Sequence, residues 1–355
     1  MTDDAGDETA EQLTARWFGF QAHACEQLGS ALYAGLLRRA AADLLAGGPT
    51  ARLLDGHRDG PGALSLRMLG GVHALVLAGR APELARFYPS AGGTADPGPG
   101  AERAWPALLG VLETRGAEVR AWLGRPPQTN DVGRGAALAG ALRYLAAEAD
   151  LPIRLTEIGA SAGLNLRADH FRITGPGADA GPPDSPVQLA AAWAGPPPPP
   201  APVRVVSRTG GDLAPIDPAT DDGKLRLAAY VWPDQADRMQ RLRGALDLAE
   251  RIPADLRAEP ASATIAALHL EPGTWTVLWH SIMCHYLDDQ ESAAMAAGIA
   301  ALAAAATPQA RFARITLELT RDSLGTPVEL TTWPGGSRRR LGTAPPHGIP
   351  VTWGA

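Results

Sequence analysis

A chain of 355 residues exceeds one ordinary domain and leads to an expectation of two associated ones. Its 45% hydrophobic content supplies a core, while 20% charged residues and a net charge of −6 argue against nucleic acid or an anionic membrane as main partner. No apolar run reaches the ~20 residues of a membrane span. The acidic start "MTDDAGDETAEQL" lacks the basic, then apolar, pattern of a secretory signal. Two cysteines, Cys25 and Cys284, are too few for a disulfide framework or a cysteine zinc site, and a cytoplasmic protein with reduced thiols is expected.

Residues 8–125 read mainly as helices. In 11–47, Leu13, Trp17, Phe20 and Ala24 return every three or four positions, and 62–79 and 106–124 repeat the pattern. His73 falls inside an apolar helix face and reads as a packed core histidine. Between these helices, 88–102 is loop by its Gly, Pro and Ser content. The pattern changes after Pro126 and Pro127. "GRGAALAGALRYLAAEA" reads as a helix, and "PIRLTEIG" as a strand that ends on a glycine turn. "VRVV", "TWTVLWH", "RFARITLEL" and "VELTTW" are further strands with helical segments between most of them. Strand alternating with helix implies a mostly parallel sheet. "VELTTWPGGSRRRLG" instead predicts a closing antiparallel hairpin about Pro-Gly-Gly. "GPPPPPAP", 195–202, reads as a stiff extended connector. The expected division is a helical domain at 1–125 and an α/β domain at 126–355, with an insertion near 172–202.

The strand end "EIGASAGLNL" admits two chemistries. Gly159-Ala160-Ser161-Ala162-Gly163 has the spacing of a hydrolase nucleophile elbow with Ser161 attacking. His280, His285 and His347 lie downstream for a triad, but no His-Gly-Gly-Gly-type stretch upstream supplies an oxyanion hole. The nicotinamide fingerprint fits worse, because it requires Gly-x-Gly-x-x-Gly. Read from Glu157, the same stretch resembles the acid-x-Gly-x-Gly-x-Gly motif of Rossmann-like S-adenosylmethionine-dependent methyltransferases, with Ser161 in place of the middle glycine. Small side chains there let the backbone approach a cofactor. A strand-to-helix turn without ligand is the bland alternative.

That resemblance implies an α/β Rossmann-like methyltransferase-type fold that binds S-adenosylmethionine through Glu157, Gly159, Ser161, Gly163 and Asn165. Asp212 of "GGDLAPID" corresponds to the second-strand acid that holds ribose hydroxyls, or else caps a loop before Pro215. Glu259 of "LRAEPA" corresponds to a third-strand acid near the adenine amine. His280 ends the expected fourth strand, where parallel sheets build sites. It is the candidate base for a hydroxyl or protonated amine acceptor, or a structural histidine. His285 and Tyr286 follow on an expected helix. "PQTNDVGR" joins the two domains, and Gln128, Asn130 and Arg134, with Thr129, are candidates to fix a carboxylate or amino acid substrate; an Asn-Asp helix cap competes. Trp232 either lines the same cleft or staples the next helix. "RFYPSAGG", "PQTNDVGR", "EIGASAGLNL", "DLAPID", "YVWPDQADRMQRL" and "WPGGSRRRL" together resemble an actinobacterial family catalogued as domain of unknown function 2332. That family implies the fold and no particular reaction. The expected partner is a small molecule; oligomeric state is not legible.

Overall fold

The structure, a computed structural model, describes residues 8–57, 63–94, 100–320 and 325–354. The acidic start through residue 7, and 95–99 of the expected 88–102 loop, lie outside the described residues. The chain divides into two compact units, Met1–Thr129 with Leu225–Met239, and Asn130–Lys224 with Gln240–Ala355.

The first unit is built from helices α1 (Ala10–Gln27), α2 (Ala31–Leu45), α3 (Pro49–Leu54), α4 (Leu64–Leu77), α5 (Pro82–Ala85) and α6 (Gly100–Leu123). Their starts follow the local chemistry. Thr9 and Gln12 form a reciprocal capping box, the Ser30 hydroxyl accepts from Tyr33 N–H, and Pro49 opens α3 where a missing N–H costs nothing. The apolar stripes meet in one core holding Phe18, Leu36, Met68, Leu69, Tyr88 and Leu108. His73 is fully buried there. Its Nδ1–H donates to the Ala229 carbonyl (3.1 Å) and its Nε2 accepts from the Ser90 hydroxyl (2.7 Å). Burial pushes its pKa down to about 4, as expected of a neutral packed histidine.

The sequence reading drew a single boundary near residue 125, whereas Leu225–Met239 returns to the helical unit. The reason lies in two side chains. Trp232 is buried in the helical core against Tyr33, with ring centroids 6.4 Å apart. Asp234 accepts from the Ser30 hydroxyl (2.6 Å) and from Leu32 N–H (3.0 Å), which caps the start of α2.

The second unit contains strands β1 (Ile153–Ile158), β2 (Arg172–Gly175), β3 (Ala178–Ala180), β4 (Gln188–Leu189), β5 (Trp193–Ala194), β6 (Val205–Asp212), β7 (Asp255–Ala258), β8 (Thr274–Ser281), β9 (Ala310–Leu317), β10 (Thr326–Trp333), β11 (Ser337–Ala344) and β12 (Val351–Trp353). Nine of them form a mixed sheet in the order β5-β12-β11-β10-β9-β8-β1-β6-β7. The run β7-β6-β1-β8-β9 is parallel throughout, whereas β9 to β12 pair antiparallel. The β10–β11 pair turns at Pro334-Gly335-Gly336, the hairpin expected from the sequence. The expected insertion holds a second sheet, β3-β2-β4, and then supplies β5, which pairs in parallel with β12 at the edge of the main sheet. The polyproline run 195–202 follows without helix or strand.

Helices α7 (Gly135–Glu148), α8 (Asp221–Ala229), α9 (Ala236–Arg251), α10 (Ala261–Ala266) and α11 (Asp289–Ala305) complete the described α-helices. Against one sheet face, Ile158, Leu278 and Phe312 pack with Ile265, Ile299 and Leu302. On α7, Gly140 has no room for a side chain, since an added Cβ would lie 2.1 Å from Trp353 Cζ2. No helix among the described residues is long and apolar enough to cross a membrane.

Candidate functional site

The carboxyl end of β1 runs straight into the glycine turn. Gly159, Ser161 and Gly163 all take left-handed backbone, with φ of 66°, 52° and 61°. For a serine this costs of order 1 kcal/mol, and neighbouring bonds hold it there. Ser161 N–H donates to Asp212 Oδ2 (2.8 Å), its carbonyl accepts from Ile216 N–H (3.1 Å), and Ala160 N–H donates to the Gly211 carbonyl (3.1 Å). Asp212 Oδ1 accepts from Ala214 N–H at 2.9 Å. Asp212 thus shapes the turn from the end of the adjacent strand. We expect Asp212→Asn to lower stability by about 1.5–3 kcal/mol, because its amide offers one acceptor oxygen to two N–H donors. Denaturant unfolding of the two proteins checks this; equal midpoints would remove Asp212 from the turn's support.

After Gly163 the chain enters not the α-helix expected from the sequence but a 3-10 segment, Leu164–His170. Its first amide is taken by a side chain, Leu164 N–H donating to Asn130 Oδ1 (2.7 Å). Asn165 Nδ2 donates to the Asp131 carbonyl (3.1 Å), and Arg167 Nη1 to the Gly163 carbonyl (2.6 Å). The turn is closely packed as well. A Cβ on Gly159 would lie 2.9 Å from Met283 Cβ, and one on Gly163 2.7 Å from Leu256 Cδ2.

Several buried polar atoms here have no hydrogen-bond partner. Glu157 is 2% exposed; its Oε1 accepts from Trp279 Nε1 (3.2 Å), and its Oε2 has none. Ser161 Oγ, Asn165 Oδ1 and Glu259 Oε1 are likewise unpartnered. Burial raises the Glu157 pKa to about 8, against smaller opposing effects of the Trp279 bond and of Arg134 and Arg167. Most buried polar groups in folded proteins are paired; four unpartnered atoms gather at this edge. Glu259 N–H donates to the Asp212 carbonyl (3.0 Å), which sets the β6 and β7 strand ends side by side. Arg134 reaches the same edge, donating to the carbonyls of Pro346 (3.0 Å) and Ser281 (3.4 Å).

His280 sits at the end of β8, wholly buried. Arg314 Nε and Nη2 lie 3.0 and 2.9 Å from its Nε2, so that nitrogen accepts and Nδ1 carries the proton, donated to Glu318 Oε1 at 2.8 Å. Burial lowers the ring's pKa. The sequence reading offered His280 as a base; with both nitrogens engaged, it has no lone pair left for an acceptor. Glu318 also accepts from Met283 and Cys284 N–H, fixing the turn at Ile282, whose φ is 50°. Burial works to raise the Glu318 pKa, but the His280 and backbone bonds reverse it and hold it low.

His280, Cys284 and Glu318 place one ligand-type atom each within 4.8 Å of one another. The trio fits a metal poorly. A metal on Nδ1 would move the ring proton to Nε2, which faces only the Arg314 donors. Burial, then Glu318, also pushes the Cys284 thiol up to about 12, away from the thiolate a metal needs. His285 and Tyr286 lie in a 3-10 turn, Cys284–Tyr286, rather than on the expected helix, and Tyr286 is 77% exposed.

The structure therefore gathers Glu157, Gly159, Ser161, Gly163, Asn165, Asp212, Glu259, Asn130 and Arg134 around one sheet edge. Gln128 and Trp232 belong to the helical unit instead. There Gln128 Oε1 accepts from Arg226 Nη2 (3.4 Å), and Trp232 is a core residue rather than a substrate contact. Among the described residues, Ser161 Oγ bonds no histidine, which the elbow reading requires. Sequence reasoning missed Arg314, Glu318, and a pair between Asp131 Oδ2 and His347 Nδ1 (2.7 Å). The Asn-Asp cap signal did point at Asp131, whose Oδ1 accepts from Gly133 N–H at 3.1 Å.

The class defined so far is a mixed α/β protein with a large, mostly parallel sheet. The chain belongs to the family described as "Uncharacterized protein conserved in bacteria (DUF2332)", whose model matches residues 15–353. No curated protein and no solved structure matches the chain.

Proposed function

We propose that the carboxyl edge of the parallel strands binds S-adenosylmethionine and that the protein transfers its methyl group to a small molecule. One observation carries the reading. In the parallel run β7-β6-β1-β8-β9, three adjacent strands carry an acid at their carboxyl ends, beside a turn of small residues. Asp212 is the last residue of β6, Glu157 stands one residue before the end of β1, and Glu259 one residue past β7. Ligands of open α/β sheets sit outside the carboxyl ends of the strands, and three acids there suit a ligand rich in hydroxyl and amino donors. The acid and small-residue turn, with Ser161 in place of the middle glycine, resemble the Rossmann-like methyltransferase class, the insertion near 172–202 lengthening the stretch between Glu157 and Asp212.

The residues present fit such a cofactor in three respects. Glu157 Oε2 and Glu259 Oε1 are buried acceptors lacking a donor, and Ser161 Oγ is a small hydroxyl in the turn. Asp212 stands at the same edge, each of its oxygens accepting a backbone N–H. A cation near Glu157 would favour its ionised form, which burial alone disfavours. The contact of Met283 with Gly159 works against the fit, and an unbranched methionine is the side chain best able to yield. When bound, the cofactor supplies an electrophilic methyl group. Asn130 and Arg134 are placed to orient a carboxylate-bearing acceptor, with an amine or thiolate nucleophile needing no base from His280.

Isothermal titration calorimetry with S-adenosylmethionine and its demethylated product tests this reading. Saturable binding is expected, weakened at least ~10-fold in Glu259→Gln, the loss of about one charge-assisted hydrogen bond. No heat at millimolar ligand would overturn it. Labelling of Ser161 by a fluorophosphonate probe would then support the serine hydrolase, and absence of both would leave a non-catalytic binding or scaffold protein.

A further inference from the structure

The lower half of one sheet face is polar and partly open, with Arg154, Ser207 and Thr209 half-buried, Arg257 exposed, and Thr156 and Thr276 buried. Ser207, Arg154 and Thr276 are in register across β6, β1 and β8, and Thr209 and Thr156 begin the next row, which Leu278 completes on β8 where the apolar core starts. On the opposite face of the same strands stand Ile153, Leu155, Trp275 and Val277, all essentially buried. The hydroxyls and Arg154, with Arg257 from β7, line a cavity of about 80 Å³. That is room for two or three waters at about 30 Å³ each, or for one tetrahedral ion. Thr276 is 2% exposed and its hydroxyl has no hydrogen-bond partner, although it lines the cavity. A valine would fill that position without leaving a buried hydroxyl unsatisfied, so the hydroxyl is placed for a ligand.

We propose that this cavity is a binding site for a small phosphate-class oxyanion, separate from the carboxyl-edge site and independent of its function. Glu271 pairs with Arg154, and Asp255 Oδ2 accepts from Arg257 Nε and Nη2 at 2.9 and 2.6 Å. These acids hold the guanidiniums in place without exhausting them, because each guanidinium has five N–H donors in a planar fork. Arg154 and Arg257, their charge partly offset by Glu271 and Asp255, supply guanidinium N–H donors. Thr156, Ser207, Thr209 and Thr276 supply hydroxyl donors, beside Leu268 and His269 on the remaining wall, a donor set that suits an ion with four acceptor oxygens. A cation would meet two guanidiniums at the wall, and an apolar ligand would strand the hydroxyls.

Inorganic phosphate and methyl phosphate, titrated separately by calorimetry and by ³¹P NMR, test the site and separate its two possible sources. Binding of inorganic phosphate alone assigns the free ion; binding of both assigns a phosphate monoester head group. In either case Arg154→Gln and Thr276→Val are expected to weaken binding about 10- to 100-fold, as for a lost charge-assisted hydrogen bond. Arg338→Gln, on the exposed start of β11, should bind as the wild type does. Thr276→Val should also melt no lower than the wild type without phosphate, since it removes an unsatisfied hydroxyl. Three results would overturn the site: no saturable binding, affinity unchanged in both cavity variants, or equal weakening in Arg338→Gln. A phosphate-induced rise in Tm that never saturates and persists in the variants is general salt stabilisation, and counts against it.

Discussion

Replacing Glu157 with Gln should make the protein more stable, and increasingly so as pH rises. The carboxyl is 2% exposed, and burial raises its pKa from the usual 4.5 to about 8. Between these values the folded chain keeps a proton that the unfolded chain has released. Stability therefore falls as pH rises through this window, by up to about 1.4 kcal/mol per unit, and levels off above pH 8. Glutamine resembles the protonated carboxyl, keeps an acceptor for Trp279 Nε1, and does not titrate. The variant's advantage should be near zero around pH 4.5 and reach roughly 3–5 kcal/mol by pH 8. Urea unfolding of both proteins from pH 5 to 9 measures the difference, in which groups common to the two cancel. Parallel curves would show that Glu157 is not buried as a proton-holding acid. The methyltransferase proposal adds a second expectation. A cationic cofactor beside Glu157 would favour the ionised form, so S-adenosylmethionine should flatten the wild-type decline and leave the Gln variant's slope unchanged.

Glu157 was legible because its chemistry is local: an acid at the end of "RLTEI", followed by small residues at fixed spacing. The strand runs "PIRLTEI", "TWTVLWH" and "RFARITLEL" were legible for the same reason, as apolar runs bounded by turn residues. What escaped depends on distant partners. Trp232 before Pro233 reads equally as a cleft wall or a core plug; only its contact with Tyr33, about 200 positions earlier, decides. The two-residue strands β4 and β5 are defined by pairing with β2 and β12 and carry no periodicity of their own. The 3-10 segment after Gly163 follows from Asn130 and Asp131 bonding to Leu164 and Asn165, contacts 34 residues apart. His280 was visible as a strand-end histidine, but its role depends on the β8–β9 register, which faces it with Arg314 and Glu318 and which one sequence does not supply.

That register makes His280→Ala the substitution expected to cost most. The ring is fully buried and bridges a guanidinium and a carboxylate that are themselves largely buried. Removing it leaves Arg314 without its acceptor, takes one partner from Glu318, which keeps its Met283 and Cys284 N–H bonds, and opens a cavity, for a loss of about 3–5 kcal/mol. His280→Gln, which can still accept from Arg314 or donate to Glu318, should recover part of this. The pH dependence has the opposite sign to that of Glu157. The folded ring resists protonation because burial lowers its pKa below 6.5, so the unfolded chain binds the extra proton. Stability from this source is present above pH 6.5 and is lost as pH falls through the folded pKa. Denaturant midpoints of wild type and His280→Ala at pH 7.5 and 5.5 should therefore differ most at the higher pH and converge toward acid. A base acting on substrate would show the reverse pattern, with turnover falling ~100- to 10,000-fold while the midpoint stays put. An unchanged midpoint in His280→Ala would remove the histidine from the His280–Arg314–Glu318 bridge, and only together with that loss of turnover would it return His280 to catalysis. A large shift fixes it as the residue that ties β8 to β9 beneath the site.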